Sequence, residues 1–411
     1  MRVIPAIARS VYNLVVRSLW FVLLAAASAH ADPEPDKGYW QGDHATGDWN
    51  GVRDSLGDRG ISIDAFYAAE VFSNLTGNTG TKLLGHVDAA LTLDTGKLGL
   101  WSGGTFYVLG QNSHGHGINE LVGSSTQISN LEAQPYTQLT ELFYQQSLLH
   151  DALVIRAGKQ DANRDFGTPR FGGNFINNNF GMFPTAPLPS YPTTGLGAIV
   201  IVQPLDGVAV KAAVYEGNPG VGGLGLTTAF RDGAGYQLVG GAGYTHHWGR
   251  DGRNGGTTSI GVWRQTGTFT EQDVADPRTF STDVGFFVQN DERIYAHPED
   301  KDDQSGLTFI MRYGWAQPDR TLISHYAGAS AAWHGLGWRN DDTVGIAIAY
   351  LTDETPLGGA PGPANEIFGE LFYKWRLTAF FSLQPDAQFY RHPGGDGPDA
   401  LFVGIRLKVK L

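Results

Sequence analysis

Between Asp161 and Thr194 the chain gathers Asp161, Asn163, Arg164, Asp165, Arg170, Asn174, Asn177, Asn178 and Asn179, interspersed with Phe166, Phe171, Phe175 and Phe180. Guanidinium, carboxylate and amide groups make directed hydrogen bonds, the charged ones being stronger. Phenyl rings add flat apolar faces. Such a set suits capture and release of a polar solute through several weak contacts. Pro184, Pro187, Pro189 and Pro192 stiffen the return of the segment.

Bond-making chemistry has less support. A hydrolase would need a serine or aspartate nucleophile beside a histidine. His325 or His334 could supply the histidine, but no partner is marked out. His114-Gly115-His116 and His246-His247 lack a third metal ligand at diagnostic spacing, and adjacent histidines on a strand point apart. Asp300, Asp302 and Asp303 lack the spacing of a calcium loop, and Gly220 to Gly225 lacks the strand-to-helix setting of a phosphate loop. The chain has no cysteine, which excludes disulfides, thiol chemistry and thiolate metal sites. No metal and no cofactor is expected.

The elements that must position these groups are strands, because from Ile61 onward the hydropathy pattern has a period of two. Ile61, Ile63, Ala65 and Tyr67 alternate with Ser62, Asp64 and Phe66, and Val87, Ala89, Leu91 and Leu93 alternate with His86, Asp88, Ala90, Thr92 and Asp94. Successive strand side chains point to opposite faces. The same alternation predicts strands over 153–160, 208–215, 344–351, 366–375 and 377–390. Tight turns are expected at Gly96-Lys97, His150-Asp151, Leu205 to Gly207, Gly249 to Gly256, Gly335 to Asp342 and near Arg376. Longer segments span 113–138, 161–194, 217–235, 267–278, 315–324 and 356–365. Short turns on one side and long loops on the other are the pattern of an outer-membrane barrel. Strands counted through this scheme number about sixteen, an even count that puts both termini on the turn side.

Both ends of the chain agree. Arg2, Arg9 and Arg17 precede the apolar run from Leu19 to Ala27, and Ala29-His30-Ala31 follows it, the layout of a signal peptide cleaved before Asp32. The run is too short for a membrane-spanning helix. Cleavage would remove three positive charges and take the formal charge from -12 to -15. That acidity argues against nucleic acid as a partner. At the other end, Leu401, Val403, Ile405, Leu407, Val409 and Leu411 alternate with Gly404, Arg406, Lys408 and Lys410, and only Phe402 mixes the register.

A soluble sandwich would seal its inner face. Here the second face carries Asp88, Asp94, Glu141, Arg156, Lys211, Glu370, Lys374, Gln384 and Asp386, a lining that needs water. Tyr244, Trp248, Trp333, Trp338, Tyr373 and Trp375 lie near strand ends, as interfacial girdles do. The expected fold is therefore all-β: residues 61–411 form a transmembrane antiparallel β-barrel. Residues 32–60 form an N-terminal periplasmic segment with a short helix, capped by Asp48 and ended at Gly60.

Specific stretches resemble the carbohydrate-selective porins of Gram-negative outer membranes, the OprB family. They are Thr46 to Arg53 (TGDWNGVR) with Gly60-Ile61, Leu139 to Gln146 (LTELFYQQ), Ile155 to Phe166 (IRAGKQDANRDF), Gly335 to Asp342, and Leu383 to Gly395 (LQPDAQFYRHPGG). Each is weak alone, and in this order they are specific. The resemblance implies a sixteen-stranded barrel passing glucose and related sugars by facilitated diffusion. It also implies outer-membrane lipid and lipopolysaccharide as surroundings, with a homotrimer and a monomer both open. Two departures are the terminal Leu411, where the family ends on an aromatic residue, and the turn Gly337 to Asp341, where the family reads Pro-Gly-Arg before Asp. A general or anion-preferring porin is the alternative, with a barrel hydrolase behind it.

A sugar-selective constriction needs charged or amide groups for the hydroxyl rim and rings for the C–H faces. Segment 161–194 is the expected constriction loop. Arg156 is opposite in strand parity to Leu153 and Ile155 and should face the lumen. Arg156, Arg164 and Arg170 are expected to donate to sugar hydroxyls, Glu70 and Glu141 to accept, and Phe175 or Trp263 to stack on the ring.

Overall fold

The computed structural model describes residues 39–219, 234–249, 252–271, 276–296, 305–336, 339–354 and 364–411. The expected signal peptide, Gly220 to Gly225, Asp300, Asp302, Asp303 and Trp338 lie outside them. Sixteen antiparallel strands form a closed barrel in which neighbours in sequence pair and the last strand returns to the first. They are β1 (Ile61–Asn74), β2 (Gly80–Asp94), β3 (Gly104–Gly115), β4 (Tyr136–Leu148), β5 (Leu153–Gln160), β6 (Gly195–Leu205), β7 (Val208–Glu216) and β8 (Tyr236–Trp248). The second half comprises β9 (Asn254–Thr270), β10 (Thr279–Ala296), β11 (Gly306–Ala316), β12 (Ile323–Leu336), β13 (Arg339–Asp353), β14 (Ala364–Arg376), β15 (Phe381–Arg391) and β16 (Ala400–Lys410). Closure satisfies every ladder in a hydrocarbon medium that offers no water. No helix among the described residues is long and apolar enough to cross a membrane.

The gaps after β5 and β7 fall at 161–194 and 217–235, as the alternation predicts. The expected 113–138 segment narrows to 116–135 because β3 and β4 extend further. β15 starts at Phe381 and not Leu377, since residues 377–380 turn the chain. Leu401, Val403 and Ile405 are exposed on the outer face of β16. Phe402 points inward, fully buried between Phe72 and Tyr390 at 5.8 Å from each ring.

That inward phenylalanine belongs to an apolar cluster inside the barrel, where the sequence suggests water. Ile118, Ile128, Phe166, Phe175, Phe180 and Phe183 from two infolded loops meet wall residues such as Phe72, Trp263, Phe287, Tyr326, Phe368 and Phe372. Burying side chains of this size contributes about 1.5–3 kcal/mol each. The loops are thereby held against the wall from β6 round to β1.

The short helix α1 runs Val52–Asp58, later than expected, and Asp48 does not cap it by its side chain. Gly51 occupies the cap position with φ 80°, a left-handed conformation that glycine adopts without strain. Arg53 on this helix donates to Thr46 Oγ1 at 3.0 Å, the Ile63 carbonyl at 3.1 Å and the Leu411 carbonyl at 3.3 Å. The Ala45 N–H donates to the Lys410 carbonyl at 2.8 Å. The N-terminal segment thus secures the end of β16.

At the closing seam Glu70 stands directly opposite Arg406. Arg406 Nε donates to Glu70 Oε1 at 2.6 Å, and Ser129 Oγ of an infolded loop donates to the same oxygen at 2.9 Å. Arg406→Ala would leave a buried carboxylate without its cation, a loss of roughly 3–5 kcal/mol. We expect a lower urea midpoint for the detergent-folded barrel, partly recovered by adding Glu70→Gln; an unchanged midpoint would contradict the role given to the pair.

Candidate functional site: the lumen constriction

Backbone folded into a barrel must find partners there, since buried unpaired N–H and C=O groups are costly. Wall side chains provide them. Glu370 accepts the N–H groups of Ile176 at 2.7 Å and Asn177 at 2.9 Å. Glu366 accepts Ser124 Oγ at 2.5 Å, Asp291 accepts the Arg170 N–H at 3.1 Å, and Glu141 accepts the Asp161 N–H at 3.1 Å. Buried Arg312 donates to the carbonyls of Gly167 at 2.7 Å and Asn179 at 3.1 Å, its guanidinium 4.0 Å from the Phe183 ring centroid.

Loop 116–135 also holds itself. Glu132 accepts the Asn119, Ile128 and Ser129 N–H groups at 2.9, 3.2 and 3.3 Å. Burial nevertheless pushes its carboxyl up to about 6. The Asp161 carboxyl at the start of the second loop is likewise raised by burial, while Asn163 N–H donates to it at 2.8 Å.

The structure brings three of the expected site residues together. Arg164 pairs with Glu141 and stands over the Tyr107 and Phe143 rings at 5.1 and 5.4 Å. Arg156 lies 5.1 Å from the same Phe143 ring but is buried, held by Asp165 at 2.6 Å and Gln145 at 3.0 Å. Arg164 is the more open of the two arginines, its side chain 38% exposed against 8% for Arg156.

The other expected residues are elsewhere. Glu70 is committed to Arg406 and Ser129. Arg170 is exposed on the far side, near Asp291. Phe175 packs on Phe372 and Phe180 at 5.1 and 5.4 Å and is largely buried, while Trp263 lies in the same apolar cluster. The inward fold of the loop buries both rings in that cluster, and of the two only Phe175 lines the remaining space. The histidines are also occupied: His325 Nδ1 lies 3.0 Å from the Tyr313 hydroxyl, and His334 Nδ1 lies 2.8 Å from Thr343 Oγ1.

The remaining space runs beside β1, β2, β3 and β16. A cavity of about 300 Å³ is lined by His86, Asp88, Asn130, Asn178, Tyr191 and Arg406, among others. It adjoins a larger space of about 550 Å³ toward the turn side, the two sharing Phe66, Asp88 and Lys408. Sequence reasoning placed Arg406 and Lys408 in the lumen by parity but missed Asn130 and Tyr191. Those two depend on how the loops fold inward, for which strand parity gives no signal.

Residues 79–411 match the family described as carbohydrate-selective porin, OprB family. The chain belongs to this family. The Pseudomonas putida OprB structure at high pH has a TM-score of 0.82 at 20% identity, covering 91% of this chain and 100% of that one. The low-pH structure of that protein gives 0.62 at 17% identity, covering 90% and 99%. Salmonella typhi OmpF in complex with daunomycin gives 0.56 at 9% identity, covering 86% and 99%. No curated protein matches the chain. These structures share the barrel fold, and the family is one of outer-membrane carbohydrate channels.

Glu370→Ala would orphan two loop N–H groups, each costing about 1–3 kcal/mol. We expect a larger and more widely distributed single-channel conductance in planar bilayers. Conductance indistinguishable from the parent would show that the tether does not set the aperture.

Proposed function

We propose that this OprB-family channel carries monosaccharides such as glucose across the outer membrane by facilitated diffusion. The observation that carries the reading is the Arg164–Glu141 pair, a donor and an acceptor held together over Tyr107, whose ring lines the larger turn-side space. Sugar hydroxyls both donate and accept, so a paired cation and carboxylate can serve neighbouring hydroxyls without a net charge on the solute. Arg156 acts one layer back, sharing Phe143 with Arg164 and anchoring Asp165.

A cavity of about 300 Å³ is at the small end of ligand pockets and favours single rings over longer oligomers. Tyr191 and Phe175 both line it and supply the ring contact, whereas Trp263 does not line it. Contacts of this kind are weak enough for release.

Arg164→Ala should cut the swelling rate of proteoliposomes in glucose relative to an uncharged polyol of similar size by several-fold, about 1 kcal/mol of lost selectivity. Arg170→Ala, remote from the pair, should leave that ratio unchanged. Equal effects of the two substitutions, or none from Arg164→Ala, would overturn the assignment.

A further inference from the structure

The larger space below the constriction has a cationic wall that a neutral sugar does not explain. Lys374 and Arg376 come from β14, and Lys408 and Lys410 from β16, all lining the same cavity. Strand register sets Arg376 opposite Ser382 and Ser382 opposite Lys408, so the two cations flank a hydroxyl in one row. Their backbones are two strand spacings apart, about 10 Å, which long side chains can close from both sides. Lys374 stands two residues along β14 from Arg376 and is within range of the like charges of Lys408, Arg406 and Arg376.

The acids in the region are mostly engaged. Arg406 uses Glu70, His86 Nε2 lies 2.7 Å from Asp88 Oδ1, and Asp341 lies 3.7 Å from Arg376. Asp64 also lines the cavity. Among the described residues Lys374, Lys408 and Lys410 form no ion pair; Lys374 Nζ donates to Asn174 Oδ1 at 2.8 Å and Lys408 Nζ sits 4.0 Å over the Phe66 ring. Asp64, Asp88 and Asp341 line the same space, Asp88 beside His86 and Asp341 beside Arg376, so the cations are in surplus, and a surplus of one sign concentrates the opposite ion.

We propose that Lys374, Arg376 and Lys408, with the Ser382 hydroxyl between them, form a subsite for the anionic oxygen group, carboxylate or phosphate, of an acidic sugar. The inference rests on the sugar-channel reading and extends it from neutral to acidic monosaccharides. The constriction selects the hydroxylated ring, and the turn-side wall draws on the charge.

The test is block of single-channel current by gluconate, glucose 6-phosphate and glucose, in the parent and in the double variant Lys374→Gln/Arg376→Gln, two residues that line only the larger space. At least one acid should block the parent at lower concentration than glucose. The double variant should raise that acid's half-blocking concentration roughly tenfold, about 1.4 kcal/mol, and leave that of glucose within about twofold. Arg376→Lys, which keeps the charge, should retain the parent's behaviour and controls for disturbed assembly. Block by gluconate alone assigns a carboxylate, by glucose 6-phosphate alone a phosphate, and by both a general oxyanion site. Acids no better than glucose in the parent, or a parallel shift of acids and glucose in the variant, would overturn the subsite. A parent blocked by the acids but neither blocked nor crossed by glucose would instead overturn the neutral-sugar reading.

Discussion

Everything inside this barrel depends on wall side chains satisfying the backbone of two infolded loops. Glu370, Glu366, Asp291 and Glu141 accept loop donors, and Arg312 donates to loop carbonyls. Without them, loop backbone buried against the wall would lose its water and gain nothing in return. The apolar cluster of Phe166, Phe175, Phe180 and Phe183 adds area but little direction. The polar tethers fix where the loops sit, and the free space is what they leave over beside β1, β2, β3 and β16.

The same residues explain how far the sequence could be read. Period-two alternation located the strands, and parity sent Arg156, Arg406 and Lys408 inward, because strand geometry is local. The loop limits 161–194 were legible for the same reason. The loop's path was not. Its contacts reach far along the chain, as from Ile176 to Glu370, 194 residues away, and no local pattern reports such a pairing. Phe175 and Trp263 therefore looked like open ring platforms and are buried. Glu70 looked like a sugar acceptor and instead closes the barrel seam with a residue 336 positions later. A phenylalanine in a polar segment signals an apolar partner, but the sequence alone does not say whether that partner is solute or wall.

Function follows from the separation of two tasks. On the proposed reading, neutral recognition falls to the Arg164–Glu141 pair, where opposite charges sit side by side, and charge recognition to the β14–β16 wall, where cations are in surplus. Arg164 reaches water while Glu141 is buried behind it, and several weak contacts of this kind permit both capture and release. The family membership sets the general task of the channel, and the two proposed constellations would give it a physical form in this chain.

The central claim is that solute passes through the space left by the tethered loops. Gly173 lines the narrow cavity, and a Cβ added there would meet nothing within 4 Å. The chain has no cysteine, so Gly173→Cys would carry the only thiol. A charged thiol reagent added to the open channel should then cut the current sharply, and saturating glucose should slow that modification. Modification that leaves the current intact, or proceeds at the same rate with and without glucose, would contradict the account.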